Sequence, residues 1–171
     1  MQIVSAVVGL LVCLATWVNP QTGYDSEAWA QMSYQEIRAG IQAGVLVRQM
    51  SLEERVGQML MCGFWGTEPD SQIIDMIRQH NLGGVMLLKY NIENREQLTG
   101  LLDHLQETAR SSHFAVPLLV AVDQEGGLVN RVLAQGVAEF TAQTDIQNTQ
   151  QAYQVATNRA QELKALGINV N

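Results

Sequence analysis

The chain has 171 residues, 47% hydrophobic and 16% charged, with a formal net charge of −7. That length suffices for one domain with a core of its own, and an acidic balance with no run of Lys or Arg argues against a nucleic-acid partner. The two cysteines, Cys13 and Cys62, sit in apolar runs with no CxxC partner and no histidine cluster. Neither a zinc site nor a disulfide framework is expected, and no cofactor is called for.

Ile3 to Val18 is almost wholly apolar. It is long for a signal-peptide core and slightly short for a spanning helix. Residues 1–19 are therefore read as a signal or anchor segment, which favours an extracytoplasmic location and allows membrane association. A mis-assigned start is the competing reading. Residues 20–50 combine a linker rich in Pro, Gly, Ser and acids with a first helix. Ser33 and Glu36 have capping-box spacing, and Ile37, Ile41 and Val45 share a face. This helix is expected to run to about Gln49. Ser51 and Glu54 repeat the signal, placing a short second helix from Leu52.

Beyond this point the pattern alternates. Met59 to Phe64 reads as a buried strand, and Asp70 to His80 as an amphipathic helix stopped near Gly83. Val85 to Leu88 is a second strand. Asn94 with Gln97 opens a longer helix striped by Leu98, Leu101, Leu102 and Leu105. Val116 to Val122 is the third strand. After a polar stretch, Thr144 and Gln147 suggest the cap of a last helix that ends at Gly167, and Ile168 to Asn171 begins a fourth strand. Strands that are apolar throughout and alternate with helices indicate an α/β fold with a covered parallel sheet. The alternation alone does not separate an open doubly wound sheet from a (β/α)8 barrel. No GxGxxG or P-loop lysine follows a strand, which disfavours a flavin- or nucleotide-binding α/β protein.

The richest segment is Pro117 to Arg131, PLLVAVDQEGGLVNR. An apolar strand stops at Asp123, with Glu125, Gly126 and Gly127 close behind and Arg131 eight residues on. This is how α/β folds place polar groups at a ligand site. In extended geometry Asp123 and Glu125 point to one side, about 6–7 Å apart, so a carboxylate pair flanking a glycosidic bond is one reading. Asp123 accepting hydrogen bonds from sugar hydroxyls, with Arg131 donating to the same ring or holding the aspartate, is another. An Asp that caps a turn and an Arg that neutralises it is the third. His80, His104 and His113 lack metal-ligand spacing and read as surface residues. Lys89, Tyr90 and Asn91 follow the second strand, where they line a site or shape a loop.

The blocks SLEERVGQMLMCGF, NLGGVMLLKYNIEN, PLLVAVDQEGGLVNR and ELKALGINVN, in this order, resemble the N-terminal part of glycoside hydrolase family three, in its β-N-acetylhexosaminidase (β-N-acetylglucosaminidase) branch. The resemblance implies a (β/α)8 TIM barrel, of which residues 51–171 cover roughly the first half, from strand 1 to the start of strand 4. It implies retaining hydrolysis of terminal β-linked N-acetylglucosamine through a covalent glycosyl-enzyme, with peptidoglycan fragments as typical substrates. It assigns Asp123 and Arg131 to substrate binding. An arginine that often follows Gly-Gly in the family is replaced here by Leu128, which puts one accessory contact in doubt. The family's nucleophilic aspartate and its Asp-His acid/base loop would lie downstream of Asn171, so no residue of this chain is assigned a catalytic role. The chain by itself is expected to be inactive and, with an open parallel edge, poorly stable. A non-catalytic carbohydrate-binding or interaction protein that keeps only the sugar subsite is the alternative.

Overall fold

The computed structural model describes residues 33–132 and 137–171. The predicted signal or anchor segment and the linker up to residue 32 lie outside the described residues. Among the described residues no helix is long and apolar enough to cross a membrane. The described residues fall into two units that divide between Val45 and Leu46.

Helix α1, Tyr34–Gln49, has no buried residue. Its N-terminus carries the expected cap: the Glu36 carboxylate accepts from the Ser33 N–H at 2.6 Å, and the Glu36 N–H donates to the Ser33 hydroxyl at 3.3 Å. Helix α2, Leu52–Gln58, opens on the second predicted capping box, Ser51 with Glu54. Both boxes satisfy N–H groups that a helix start leaves without an internal partner.

The second unit is an α/β layer. Strands β1, Met61–Gly63, β2, Gly84–Leu87, and β3, Leu119–Val122, pair in parallel in the order β1-β2-β3. Helix α3, Ser71–Gln79, connects the first two, and helix α4, Arg95–Arg110, the second and third. The predicted faces are the buried ones. Ile73 and Ile77 of α3 and Leu98, Leu101, Leu102 and Leu105 of α4 join Val85, Leu87, Val120 and Val122 of the strands in a single core. Helix α5, Thr149–Ala165, adds Leu163, with Leu166 and Ile168 just beyond its end.

The structure moves several predicted boundaries. The first strand is shorter than Met59 to Phe64, because Met59 closes α2 by donating to Val56 and Gly57 carbonyls. Helix α3 ends two residues before the left-handed residue, which is Asn81 (φ 57°) and not Gly83. Gly83 is needed for close approach instead: a side chain there would strike the Gln58 backbone. The cap of α5 is Asn148, accepting from the Gln151 N–H at 2.9 Å, while Thr144 lies in a 3-10 turn, Gln143–Asp145. The fourth strand is reduced to one parallel bridge between Val170 and Ala121. Asn169 and Asn171 complete that edge with their side-chain amides. Asn169 accepts from the Val120 N–H at 2.8 Å and donates to the Leu118 carbonyl at 3.3 Å. Gln106 of α4 does the same at the start of β3, accepting from the Leu118 N–H at 3.1 Å and donating to its carbonyl at 3.0 Å.

The junction between α2 and β2 depends on a backbone-to-backbone contact. The Gly83 N–H donates to the Gly57 carbonyl at 3.0 Å and to that of Leu60 at 3.2 Å. A Cβ on Gly57 would collide with the His80 carbonyl oxygen. Because both partners are main chain, neither can swing aside. Gly57→Ala should therefore lower stability by about 2 kcal/mol or more, whereas Gly44→Ala, with open space around it, should be neutral or slightly stabilising. Chemical denaturation of the two variants checks the contrast.

Candidate functional site

Strand β3 delivers the site, and the residue that organises it is Gln124, which no pattern in the sequence singles out. It lies between the two predicted carboxylates and is fully buried, whereas Asp123 is half-buried and Glu125 exposed. The alternation of an extended chain thus continues one step past β3: Asp123 and Glu125 on one side, Gln124 on the other. The Gln124 Oε1 accepts the Arg131 N–H at 2.8 Å and the Val132 N–H at 3.4 Å. Its Nε2 donates to Asn130 Oδ1 at 2.6 Å. Its own peptide group is paired with the Asn171 side chain, at 2.8 Å through the N–H and 3.2 Å through the carbonyl. The Gln124 carboxamide therefore ties the end of β3 to the returning segment 130–132, and the peptide group beside it ties in the last residue of the chain.

Between these anchors the chain reverses. The Glu125 and Gly126 N–H groups donate to the Val129 carbonyl at 3.0 and 3.1 Å, and the Val129 N–H returns to Gly126 at 3.1 Å. Gly126 (φ 83°) and Gly127 (φ 55°) take up the left-handed conformations that the reversal requires. A side chain on Gly126 would also strike the Thr141 carbonyl. Leu128 is wholly exposed at the tip.

A second layer buttresses the turn. The Gly127 N–H donates to the Phe140 carbonyl at 3.0 Å. The strap carrying Phe140 is held by α5: the Glu162 carboxylate accepts the Ala138 and Glu139 N–H groups, each at 2.9 Å, and the Arg159 guanidinium donates to the Thr141 carbonyl at 2.8 Å. Burial raises the pKa of Glu139, but the Thr141 N–H and hydroxyl, the Arg159 charge and Asn158 outweigh it, so the carboxyl titrates below its ordinary 4.5. A depressed carboxyl pKa means that this anchor acts fully above the ordinary value and is lost as pH falls through the folded one.

Arg131 enters the site from the far side of the turn. Its N–H is fixed by Gln124, and its Nε is buried without a hydrogen-bond partner among the described residues. Arg159 lies 4.0 Å from Glu139 and His113 Nδ1 3.7 Å from Glu54, and neither contact involves Asp123 or Arg131. Asp123 and Arg131 do not pair with each other, so the arginine does not neutralise the aspartate. No side-chain hydrogen bond from Asp123 caps the turn, which is held by backbone bonds and by Gln124. Glu125 already belongs to the reversal and is more exposed than Asp123, so the two carboxylates are not equivalent.

The other candidates divide. Asn91 is fully buried and shapes a loop: its Nδ2 donates to the Phe64 and Gly66 carbonyls and its Oδ1 accepts from the Leu88 N–H. Lys89 and Tyr90 are exposed beside it. His80, His104 and His113 are exposed, and among the described residues no group of His, Cys, Asp or Glu could hold a metal ion.

Replacing Gln124 with Leu should strand the Arg131 and Val132 N–H groups in an apolar setting, at a cost of about 1–3 kcal/mol. Hydrogen exchange at Arg131 should accelerate together with the loss of stability. Glu125→Gln should leave unfolding within about 0.5 kcal/mol of the parent. Equal effects from the two variants would contradict the division of roles.

Residues 51–171 match the sequence profile described as the glycosyl hydrolase family 3 N-terminal domain. Beta-hexosaminidase A of Pseudoalteromonas piscicida is 35% identical over 106 residues, which are 58% of this chain and 18% of that protein. Among solved structures, a glycoside hydrolase family 3 β-N-acetylglucosaminidase from Paenibacillus sp. str. FPU-7 is 35% identical, with a TM-score of 0.63 over 70% of this chain and 23% of that one. A β-N-acetylhexosaminidase from Beutenbergia cavernae DSM 12333 is 30% identical, with a TM-score of 0.61 over 70% of this chain and 36% of that one. The chain spans about a fifth to about a third of the length of these relatives.

Proposed function

The chain belongs to glycosyl hydrolase family 3, whose N-terminal domain it carries over residues 51–171, and from that membership we propose that it forms the sugar-holding part of a β-N-acetylhexosaminidase. The reaction is retaining hydrolysis of terminal β-linked N-acetylglucosamine in amino-sugar substrates of the peptidoglycan type, through a covalent glycosyl-enzyme. The three parallel strands and their helices are then the first units of a (β/α)8 barrel. In such a barrel the loops at the strand C-termini build the site, and β3 ends at Asp123.

The observation that carries this reading is that two unspent groups stand at the two ends of one turn, Asp123 before it and Arg131 after it. The Asp123 carboxylate has no hydrogen-bond donor among the described residues, and the Arg131 Nε is buried and unpartnered. Buried donors without partners are uncommon and call for a ligand or another explanation. A sugar supplies what both need, with hydroxyls that donate to a carboxylate and oxygens that accept from a guanidinium. Gln124 keeps the two in register by holding the backbone on both sides. Asp123 and Arg131 bind and orient the ring. The nucleophile and the acid/base are assigned to no residue of this chain. Ile3 to Val18 fits export or anchoring of the whole enzyme outside the cytoplasm.

Calorimetric titration with N-acetylglucosamine tests the site. Charge-assisted bonds contribute roughly 1.5–3 kcal/mol, so Asp123→Asn should weaken binding at least tenfold, and Arg131→Met should act in the same direction. The 171-residue chain should not turn over a chromogenic N-acetylglucosaminide. Undiminished binding by Asp123→Asn would overturn the assignment of the subsite, and turnover by the chain alone would overturn the assignment of the chemistry elsewhere.

A further inference from the structure

Loops after β1 and β2 carry a feature that the sugar-holding turn does not use. Trp65 and Tyr90 stack with ring centroids 4.2 Å apart and planes inclined by 15°. Trp65 is nonetheless 75% exposed and Tyr90 37% exposed, although Phe64, next to Trp65, belongs to the core. A tryptophan that covers one face against another ring and leaves the other to water is an unusual use of the largest apolar side chain.

The stack is rigidly mounted. Asn91, which follows Tyr90, donates from Nδ2 to the carbonyls on either side of Trp65, at 3.0 Å to Phe64 and 2.7 Å to Gly66. Its Oδ1 accepts from the Leu88 N–H at 2.8 Å. Gln97, at the start of α4, reaches the Thr67 and Asn91 carbonyls at 2.6 and 3.1 Å. Two loops, 64–67 and 88–91, are thus held together by two amides, and the ring pair is preorganised.

The topology sets where this surface lies. In a parallel sheet ordered β1-β2-β3, Trp65, Tyr90 and Asp123 all leave the same sheet end, on three successive strands. Neighbouring strands are about 4.8 Å apart, so the ends of β1 and β3 are separated by roughly 10 Å. That is the span of two linked pyranose rings. A pyranose presents a face of C–H bonds that packs on an indole, while its hydroxyls point outward to water.

We infer that the Trp65–Tyr90 stack is a platform for a second sugar ring, the one on the leaving-group side of the bond to be cleaved. Asp123 and Arg131 hold the terminal ring by polar contacts, and the exposed indole face of Trp65 packs against the C–H face of the next. This rests on the function proposed above, because it takes Asp123 to mark the terminal-sugar position.

Titrating the 171-residue chain with N-acetylglucosamine and with its β-linked disaccharide, for the parent and for Trp65→Ala, Trp65→Phe and Asp123→Asn, separates the two ideas. The parent should bind the disaccharide more tightly than the monosaccharide. Trp65→Ala should weaken the disaccharide about threefold to tenfold, as expected for one stacking contact, and leave the monosaccharide unchanged. Trp65→Phe should restore most of the loss, and Asp123→Asn should weaken both ligands. If Trp65→Ala weakens both sugars equally, or neither, the platform is overturned and the stack is only a latch between loops. If the parent binds the monosaccharide through Asp123 but gains nothing from the second ring, the platform alone falls. If the parent binds neither sugar, the subsite and the platform fall together.

Discussion

A single buried carboxamide, that of Gln124, is the constraint on which the site depends. With no water at hand, each polar atom of this side chain must find a protein partner. It finds them on Asn130, Arg131 and Val132, while the peptide group beside it finds Asn171. These bonds bring the end of β3 and the returning chain together, and the glycine turn between them follows from that closure. The left-handed angles at Gly126 and Gly127 are the local consequence, and their nearness to the strap at 140–142 leaves no room for side chains.

The same device recurs at other ends of the sheet. Gln106, Asn91, Gln97 and Asn169 each use a side-chain amide to satisfy main-chain groups that strand pairing does not reach. Parallel strands this short make few ladder bonds, and their ends would otherwise expose unpaired N–H and C=O groups beside an apolar core. An amide offers donor and acceptor in the geometry of a peptide, so Gln106 and Asn169 each serve an N–H and a C=O at the entry to β3, on Leu118 and Val120, at once. Rigidity of the loops is thereby achieved without lengthening the strands.

What the sequence discloses follows from the range of each interaction. The capping boxes at Ser51 and Ser33, the leucine stripe of α4 and the isoleucine face of α3 are local or periodic, and all are legible. The order of strands and helices is legible too, because parallel strands leave short apolar runs, even where, as in β1, the run is not buried. Gln124 is not, since a glutamine between two acids looks like one more polar loop residue, and its partners are revealed only when the chain returns six to eight residues later. The Asn169 and Asn171 contacts span 47 to 51 residues and leave no pattern at all. The cap of α5 is ambiguous in the sequence for a different reason: Thr144–Gln147 and Asn148–Gln151 carry the same spacing, and the helix that buries Val155 and Leu163 starts from the second.

The three consecutive residues Asp123, Gln124 and Glu125 show how a strand end divides labour. The inward residue must be uncharged, because a carboxylate there would be buried and could only accept, leaving the Asn130 side chain without its donor and adding a large desolvation cost. Gln124 meets that requirement with a neutral group that both donates and accepts. The outward residues are free to carry charge, but the reversal that begins at the Glu125 N–H turns the chain away and leaves Glu125 to solvent. Asp123 alone is both charged and half-sheltered, on a backbone that cannot move without breaking the amide network behind it. A carboxylate held in this way has lost part of its hydration before any ligand arrives, and hydrogen bonds to it gain strength accordingly. The burial of Gln124 and the availability of Asp123 are thus two faces of one alternation, and a substitution that relaxed the first would blunt the second.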